Sequence, residues 1–269
     1  VGNFYVNRAW TNAPSGSDPD GAGPILAVGW DAFAAVQSAL NVAGTGSVIT
    51  IASGIYPEIL SITQSVTLVG ATVSDPVNGT IPQTVIRPAG VSAAGALMEI
   101  GAVDDSGSVA PQVVLRDISL NGSVAYLGNP STYIGINVHK GARVLLSRCH
   151  ESYVRAPVVG AQTGWGIVSY HADLDIEDCY FEEFNKAALS AFGIGTVNVR
   201  RSKFRGMDLS SAYQFSQCVL EYQDSIGGVI DDNVFLDVGP SGKFNANYGG
   251  ANIAQGGGLG LCLLLMSSF

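Results

Sequence analysis

Charge is scarce in this chain. Charged residues make up 13% of its 269 residues, 13 Lys and Arg stand against 22 Asp and Glu, and the net charge is −9. Nucleic-acid affinity rests on Lys and Arg that neutralise phosphates, so no nucleic-acid partner is expected. The acidity suits solubility outside the cell. Cysteine is scarce too: Cys149, Cys179, Cys218 and Cys262 form no CxxC pair, which excludes a ribbon-type zinc site and a thioredoxin-like redox motif. His139, His150 and His171 share neither an i,i+4 spacing nor a repeat position, so they predict no metal site. The sequence has no G-x-S-x-G elbow and no phosphate-cradling P-loop. No apolar run approaches the roughly 20 residues that span a bilayer; LGLCLLLM, Leu259 to Met266, is far too short, and no membrane span is expected. The chain opens at Val1 without a charged and then apolar leader, and is expected to be a mature or excised piece of a longer protein.

Glycine, by contrast, is abundant at 34 residues, and 47% of the chain is apolar. That composition suits many short strands joined by tight turns, and this length buries one continuous core, predicted as a single elongated domain over residues 1–269. The segment LDIEDCYF, Leu174 to Phe181, recurs as VVLRDISL (from Val113), VLLSRCHE (from Val144), VNVRRSKF (from Val197) and GVIDDNVF (from Gly228). Leu174 and Ile176 alternate with Asp175 and Glu177, the period of a strand with one buried face, and Cys179 and Phe181 continue the apolar side past a bend. The unequal spacing of the column Cys149, Cys179, Ser202, Asn233 predicts stacked coils with loops of different length. Ile136 with Val144, Ile167 with Leu174 and Leu189 with Val197 mark a second strand in each coil, hence two successive sheets. Phe181, Phe204 and Phe235 are predicted to stack inside. Cys149 and Cys179, one coil apart with parallel side-chain vectors, are predicted to be buried free thiols.

Residues 1–46 are predicted as an opening strand, a polar loop and a capping helix. Within the loop, Asp18 and Asp20 of DPDG are weak calcium candidates against an ordinary turn. The helix is placed at Asp31 to Ala43, with Asp31 as N-cap, Phe33, Val36 and Leu40 on one face, and Gly44 ending it. Laid across the first coil, it would hide an apolar cross-section and an unpaired strand edge. The order helix, GSVITIASGIYPE (from Gly46), then SITQSVTLVG (from Ser61) resembles the opening of pectin methylesterases and of bacterial surface β-helix proteins in the pectin-lyase-like superfamily. The resemblance implies an all-β fold, a right-handed parallel β-helix, here with an N-terminal capping α-helix and about eight or nine coils over residues 47–238. YQDS, Tyr222 to Ser225, resembles a methylesterase segment whose aspartate is catalytic, which would place Asp224 in that role. The family's D-F-x-F-G and G-R-x-W segments do not follow; the next acidic pair is Asp231 and Asp232. Residues 239–269 form a Gly-rich segment and an apolar terminal strand, expected to be truncated or docked onto further protein.

Stacking the repeats gives two outward columns, Arg116, Ser147, Glu177, Arg200, Asp231 and Asp117, Arg148, Asp178, Arg201, Asp232. The second alternates in sign at every step, which predicts an inter-coil ion-pair ladder that fixes register. The catalytic alternative reads Asp173, Asp175, Glu177 and Asp178 as calcium ligands, with Arg200, Arg201 or Lys203 acting on a uronate, as the resemblance to pectate lyases of the superfamily implies. A third column, His150, Tyr180, Lys203, Val234, is predicted to point outward and, with Tyr153 and Tyr170, to offer a sugar-stacking strip. The expected function is a secreted or cell-surface, non-catalytic structural or adhesion module that self-associates or meets another surface protein and contacts carbohydrate. It requires no cofactor. The alternative is a calcium-dependent polysaccharide lyase, or a hydrolase, acting on acidic polysaccharide.

Overall fold

The computed structural model describes residues 1–23, 25–89, 95–102, 110–123, 133–154, 164–184, 186–206, 218–222 and 225–236. The chain climbs through three parallel sheets in rotation. Sheet A includes Ser47–Ile51, Val66–Gly70, Gln112–Arg116, Arg143–Ser147, Asp173–Glu177 and Ile194–Arg200. Sheet B holds seven strands: Gly54–Pro57, Thr84–Arg87, Ile118–Asn121, His150–Ser152, Tyr180–Glu182, Lys203–Arg205 and Val234–Leu236. Sheet C holds Leu60–Ile62, Gly95–Ile100, Tyr133–Val138, Trp165–Tyr170, Ala187–Phe192 and Cys218–Tyr222. Each A strand leads into a B strand and then, until the last described B strand, into a C strand, and successive coils pair in parallel. This is the right-handed parallel β-helix, the hand favoured for parallel crossovers between twisted strands.

The expected registers hold residue by residue: Leu146 faces Ile176, Ile176 faces Val199, and the first outward column runs as predicted through Arg116, Ser147, Glu177, Arg200 and Asp231. The two sheets read from the sequence are A and C. Sheet B, whose strands are mostly three residues long, was read as a bend. Seven B strands make seven coils among the described residues, fewer than the eight or nine expected.

One residue turns the chain from sheet A to sheet B. Asp117, Arg148, Asp178, Arg201 and Asp232 all occupy left-handed backbone, with φ of 48 to 56°. That conformation costs an L-residue roughly 1–2 kcal/mol. Stacking offsets it, because Asp117, Arg148, Asp178 and Arg201 each donate their N–H to a carbonyl of the next coil, at 3.0 to 3.2 Å. Directly after this turn, inside the coil, the Cys149 N–H donates to Cys179 Sγ (3.4 Å), Cys179 N–H to Ser202 Oγ (3.1 Å) and Ser202 N–H to Asn233 Oδ1 (2.8 Å). Small polar and thiol side chains thus satisfy backbone donors that the bend leaves unpaired. Both cysteines are buried and free, as expected.

The capping helix is shorter than the pattern implied, Val36–Val42 rather than Asp31 to Ala43. Ala32–Phe33 is instead a strand beside Asn3–Val6, and the Asp31 carboxylate accepts from Ala27 N–H at 2.6 Å, so Asp31 is not the N-cap. The cap comes from far along the chain: the Glu58 carboxylate accepts from Val36 N–H and Gln37 N–H, each at 2.8 Å. A carboxylate there satisfies two orphan donors and meets the positive end of the helix dipole. Gln37 clasps the backbone of Ser61, and Gln64 donates to Leu40 O, which ties the helix over the first coil with Val36, Ala39 and Leu40 buried. Glu58→Ala is expected to cost about 1–2 kcal/mol in urea unfolding, the range for losing a helix cap, and Glu58→Gln less. In the DPDG loop, Asp20 accepts from Ala22 N–H at 3.2 Å, an ordinary Asx turn.

Candidate functional site

On sheet A the acidic run Asp173, Asp175, Glu177 faces outward at alternate positions, half-buried, and each carboxylate is held by the next or preceding coil. Asp173 accepts from Thr196 N–H (2.9 Å) and pairs with Arg143 (3.2 Å), and Asp175 accepts from Asn198 Nδ2 (2.8 Å). Glu177 lies 3.7 Å from Arg200 and 3.4 Å from Arg201, and Asp178 takes Arg201 in a fork at 2.8 and 3.1 Å. Arg148 forks Asp117 in the same way, at 2.8 and 2.7 Å. The alternating column therefore carries two forked ion pairs, Asp117 with Arg148 and Asp178 with Arg201. Among the described residues no group of three or more His, Cys, Asp or Glu side chains is arranged to hold a metal ion. Lys203 does not join Arg200 and Arg201: it belongs to sheet B, where its ammonium sits 4.8 Å from the centre of the Tyr180 ring. A groove of about 510 Å³ runs along the ladder, between Ser74, Asp75 and Asn78 on one wall and Arg148, Asp178 and Arg201 on the other.

Sheet B corrects the expected sugar strip. His150, Tyr180 and Lys203 do form one column, with Ser119 before them. His150 and Tyr180 are not solvent-facing, however; they are 6% and 8% exposed. Their polar atoms are turned into a network instead: Ser119 Oγ lies 3.1 Å from His150 Nδ1, His150 Nε2 lies 3.0 Å from Glu182 Oε1, and Tyr180 OH donates to Glu182 Oε2 at 2.7 Å. The hydrogen bond to His150, with that from Tyr180, outweighs burial and holds the Glu182 carboxyl below its ordinary range. Burial first, then the Glu182 bond, pushes the Tyr180 phenol up. The order hydroxyl, imidazole, carboxylate suits nucleophilic chemistry, but Ser119 is 3% exposed. Buried and bonded across three coils, the network fastens sheet B. Tyr153 stands apart on the bend after sheet B, at φ 59°.

Tyr170 finds different company on sheet C. It is 46% exposed, and its ring stacks on Phe192 of the next coil with centroids 5.1 Å apart and planes within 19°. One coil below Tyr170, His139 Nε2 lies 2.6 Å from Glu99 Oε2, which also accepts from Asn137 Nδ2 at 2.9 Å. On the bend, His171 Nδ1 accepts from Ile194 N–H at 3.2 Å, and a side chain at Gly193 would collide with the His171 ring. The result is a two-ring platform beside a hydrogen-bonded Glu99, Asn137 and His139 trio, all held on one sheet. Phe192 was missed in the sequence although the Ile167 and Leu189 alignment, carried three residues further, places it on Tyr170. Glu99 faces Asn137 from the preceding coil. Asp224 and Cys262 lie outside the described residues, as does the whole of 239–269.

No family model matches the chain, and no curated protein does. Among solved structures, the chain is similar to pectin methylesterase PemA from Erwinia chrysanthemi, at 13% identity, covering 91% of this chain and 73% of that one with a TM-score of 0.48. It is similar also to the pectin methylesterase from Aspergillus niger, at 12% identity, with 87% and 85% covered and a TM-score of 0.41.

Proposed function

We propose that the chain is a rigid, non-catalytic β-helix module of a secreted or cell-surface assembly, and that it contacts carbohydrate through the outer face of sheet C. The observation that carries this reading is the platform of exposed Tyr170 and half-buried Phe192 beside the Glu99, Asn137 and His139 trio. Sugar rings present apolar C–H faces and a rim of hydroxyls. Flat aromatic surface serves the first, and a carboxylate, an amide and an imidazole serve the second. Parallel strands hold both backbones and the rings stack on one another, so less ordering entropy opposes binding than for free side chains. The ion-pair ladder supports the non-catalytic part: Asp173, Asp175, Glu177 and Asp178 are spent on Arg143, Thr196, Asn198, Arg200 and Arg201. Groups so engaged fix coil register rather than await a cation or a substrate proton.

Affinity electrophoresis of the intact chain through gels containing soluble plant and bacterial polysaccharides tests the reading. At least one polymer is expected to retard migration, and Tyr170→Ala is expected to weaken that retardation about tenfold, as losing one stacked ring on the order of 1.4 kcal/mol predicts. Arg201→Ala is expected to leave it unchanged. Retardation that survives Tyr170→Ala would place the contact elsewhere. Shortening of a polyuronate in calcium, abolished by Arg200→Ala or Arg201→Ala, would overturn the non-catalytic assignment in favour of the lyase.

A further inference from the structure

One inward-facing position of sheet B carries an acid. Along the column Ile86, Leu120, Glu151, Phe181, Phe204, Phe235, every residue but Glu151 is apolar. Glu151 is 3% exposed, and its Oε2 has no hydrogen-bond partner. Its carboxyl lies against sheet C at Gly135 and Gly166, where an added Cβ would run into the backbone carbonyl of the next coil and also into Oε2 or Oε1. The equivalent sites in neighbouring coils are Leu97, Ala188 and Val219. Glycine thus occurs at the two coils that must make room for the acid, and side chains return on either side. Among the described residues, the groups set against the carboxyl are Leu120 and Phe181 in its own sheet, the two glycines across the corner, and Tyr133. Tyr133 is the one titratable side chain among them; its hydroxyl is buried and unpartnered, and burial together with Glu151 pushes its phenol up. No cation among the described residues neutralises the site.

We propose that Glu151 is a built-in proton site that makes this β-helix firmer in acid than near neutrality: the folded molecule holds the carboxyl neutral in its glycine slot, and unfolding releases the proton. The cost of burying an unpaired carboxylate is far larger than that of burying the acid form, and burial accordingly pushes the Glu151 carboxyl well above its ordinary range. For a group raised on folding, the stabilising contribution is fully present below the unfolded value of about 4.3 and is lost as pH rises from there through the folded value. Over that window this site alone multiplies the unfolding constant by about ten for each pH unit. The module would therefore hold its sheet B to sheet C corner most firmly in an acidic surrounding and loosen it as the medium is neutralised.

Urea unfolding of the full chain and of Glu151→Gln, compared from pH 4 to pH 8, isolates the site because every other titrating group is common to both proteins. The ratio of their unfolding constants is expected to shift by up to about tenfold per pH unit above the unfolded value of about 4.3 and to level off once the folded carboxyl ionises, with the wild type losing ground as pH rises. A ratio that stays flat would overturn the proposal. Should Glu151→Gln fail to fold, infrared spectroscopy of the wild type decides alone. A protonated-carboxyl band that persists in the folded protein at a pH where ordinary carboxylates are ionised, about pH 5.5, and disappears on unfolding is expected; its absence from the folded protein there would overturn the site.

Discussion

Phe204→Ala will cost about 3–5 kcal/mol of stability, the range for emptying a large buried aromatic site. Phe204 is fully buried and lies between two other rings of its column: Phe181 at 5.2 Å and 7°, and Phe235 at 5.3 Å and 15°. Removing it opens a cavity and also unstacks both neighbours, and each such pair contributes about 0.5–1.5 kcal/mol beyond its buried area. Relaxation is limited because strand spacing is set by backbone hydrogen bonds on either side, so the coils cannot close over the gap. In a solenoid each repeat leans on its neighbours, so the last described coil, with Phe235 and Val234, should lose order first. Phe235→Ala should cost less, because Phe235 is only half-buried. Urea unfolding followed by far-UV circular dichroism measures both. A loss below about 1 kcal/mol for Phe204→Ala would mean that the column is not packed as described.

That column was readable from the repeats alone, and so were the ladder and the free thiols, because each follows from laying one coil over the next. Laying VLLSRCHE beneath LDIEDCYF also puts Glu151 under Phe181, so the buried acid was visible in the alignment. What the alignment does not show is the pair of glycines opposite it, since Gly135 and Gly166 belong to another sheet. The helix cap was hidden for a related reason. Local spacing favours Asp31 as the nearest acid, yet the donors are met by Glu58, which the first coil brings back across the helix end. Outwardness misled for His150 and Tyr180 because strand alternation gives the side of the sheet a residue occupies and says nothing of what covers that side. Tyr170 was set beside the His150 and Tyr180 column; its partner is Phe192, one coil on in another sheet.

Arg148→Ala and Arg201→Ala remove the same kind of side chain from the same ladder and should differ sharply. Arg148 forks Asp117, which is 2% exposed and also accepts from Ser74 N–H at 2.8 Å and Ser74 Oγ at 3.0 Å. Burial alone would push the Asp117 carboxyl up, but the bonds from Arg148 and Ser74 outweigh it and hold the carboxyl below its ordinary range. Deleting Arg148 leaves that carboxylate buried without its counterion. The loss is expected at about 3 kcal/mol, the low end for breaking a buried pair because the arginine itself is partly solvated. Asp178, the partner of Arg201, is 39% exposed along its side chain, and water replaces the lost partner there, so Arg201→Ala should barely move the unfolding midpoint. The pH dependence carries the opposite sign to that of Glu151. A carboxyl lowered on folding contributes stability above its unfolded value of about 3.9 that is lost as pH falls through the folded value. The gap between wild type and Arg148→Ala should therefore narrow on acidification below about pH 4, while Glu151 favours the fold there. Equal losses for the two arginine variants at neutral pH would show that burial does not distinguish the rungs. The Ser74 wall of the groove would then owe its position to something other than Asp117.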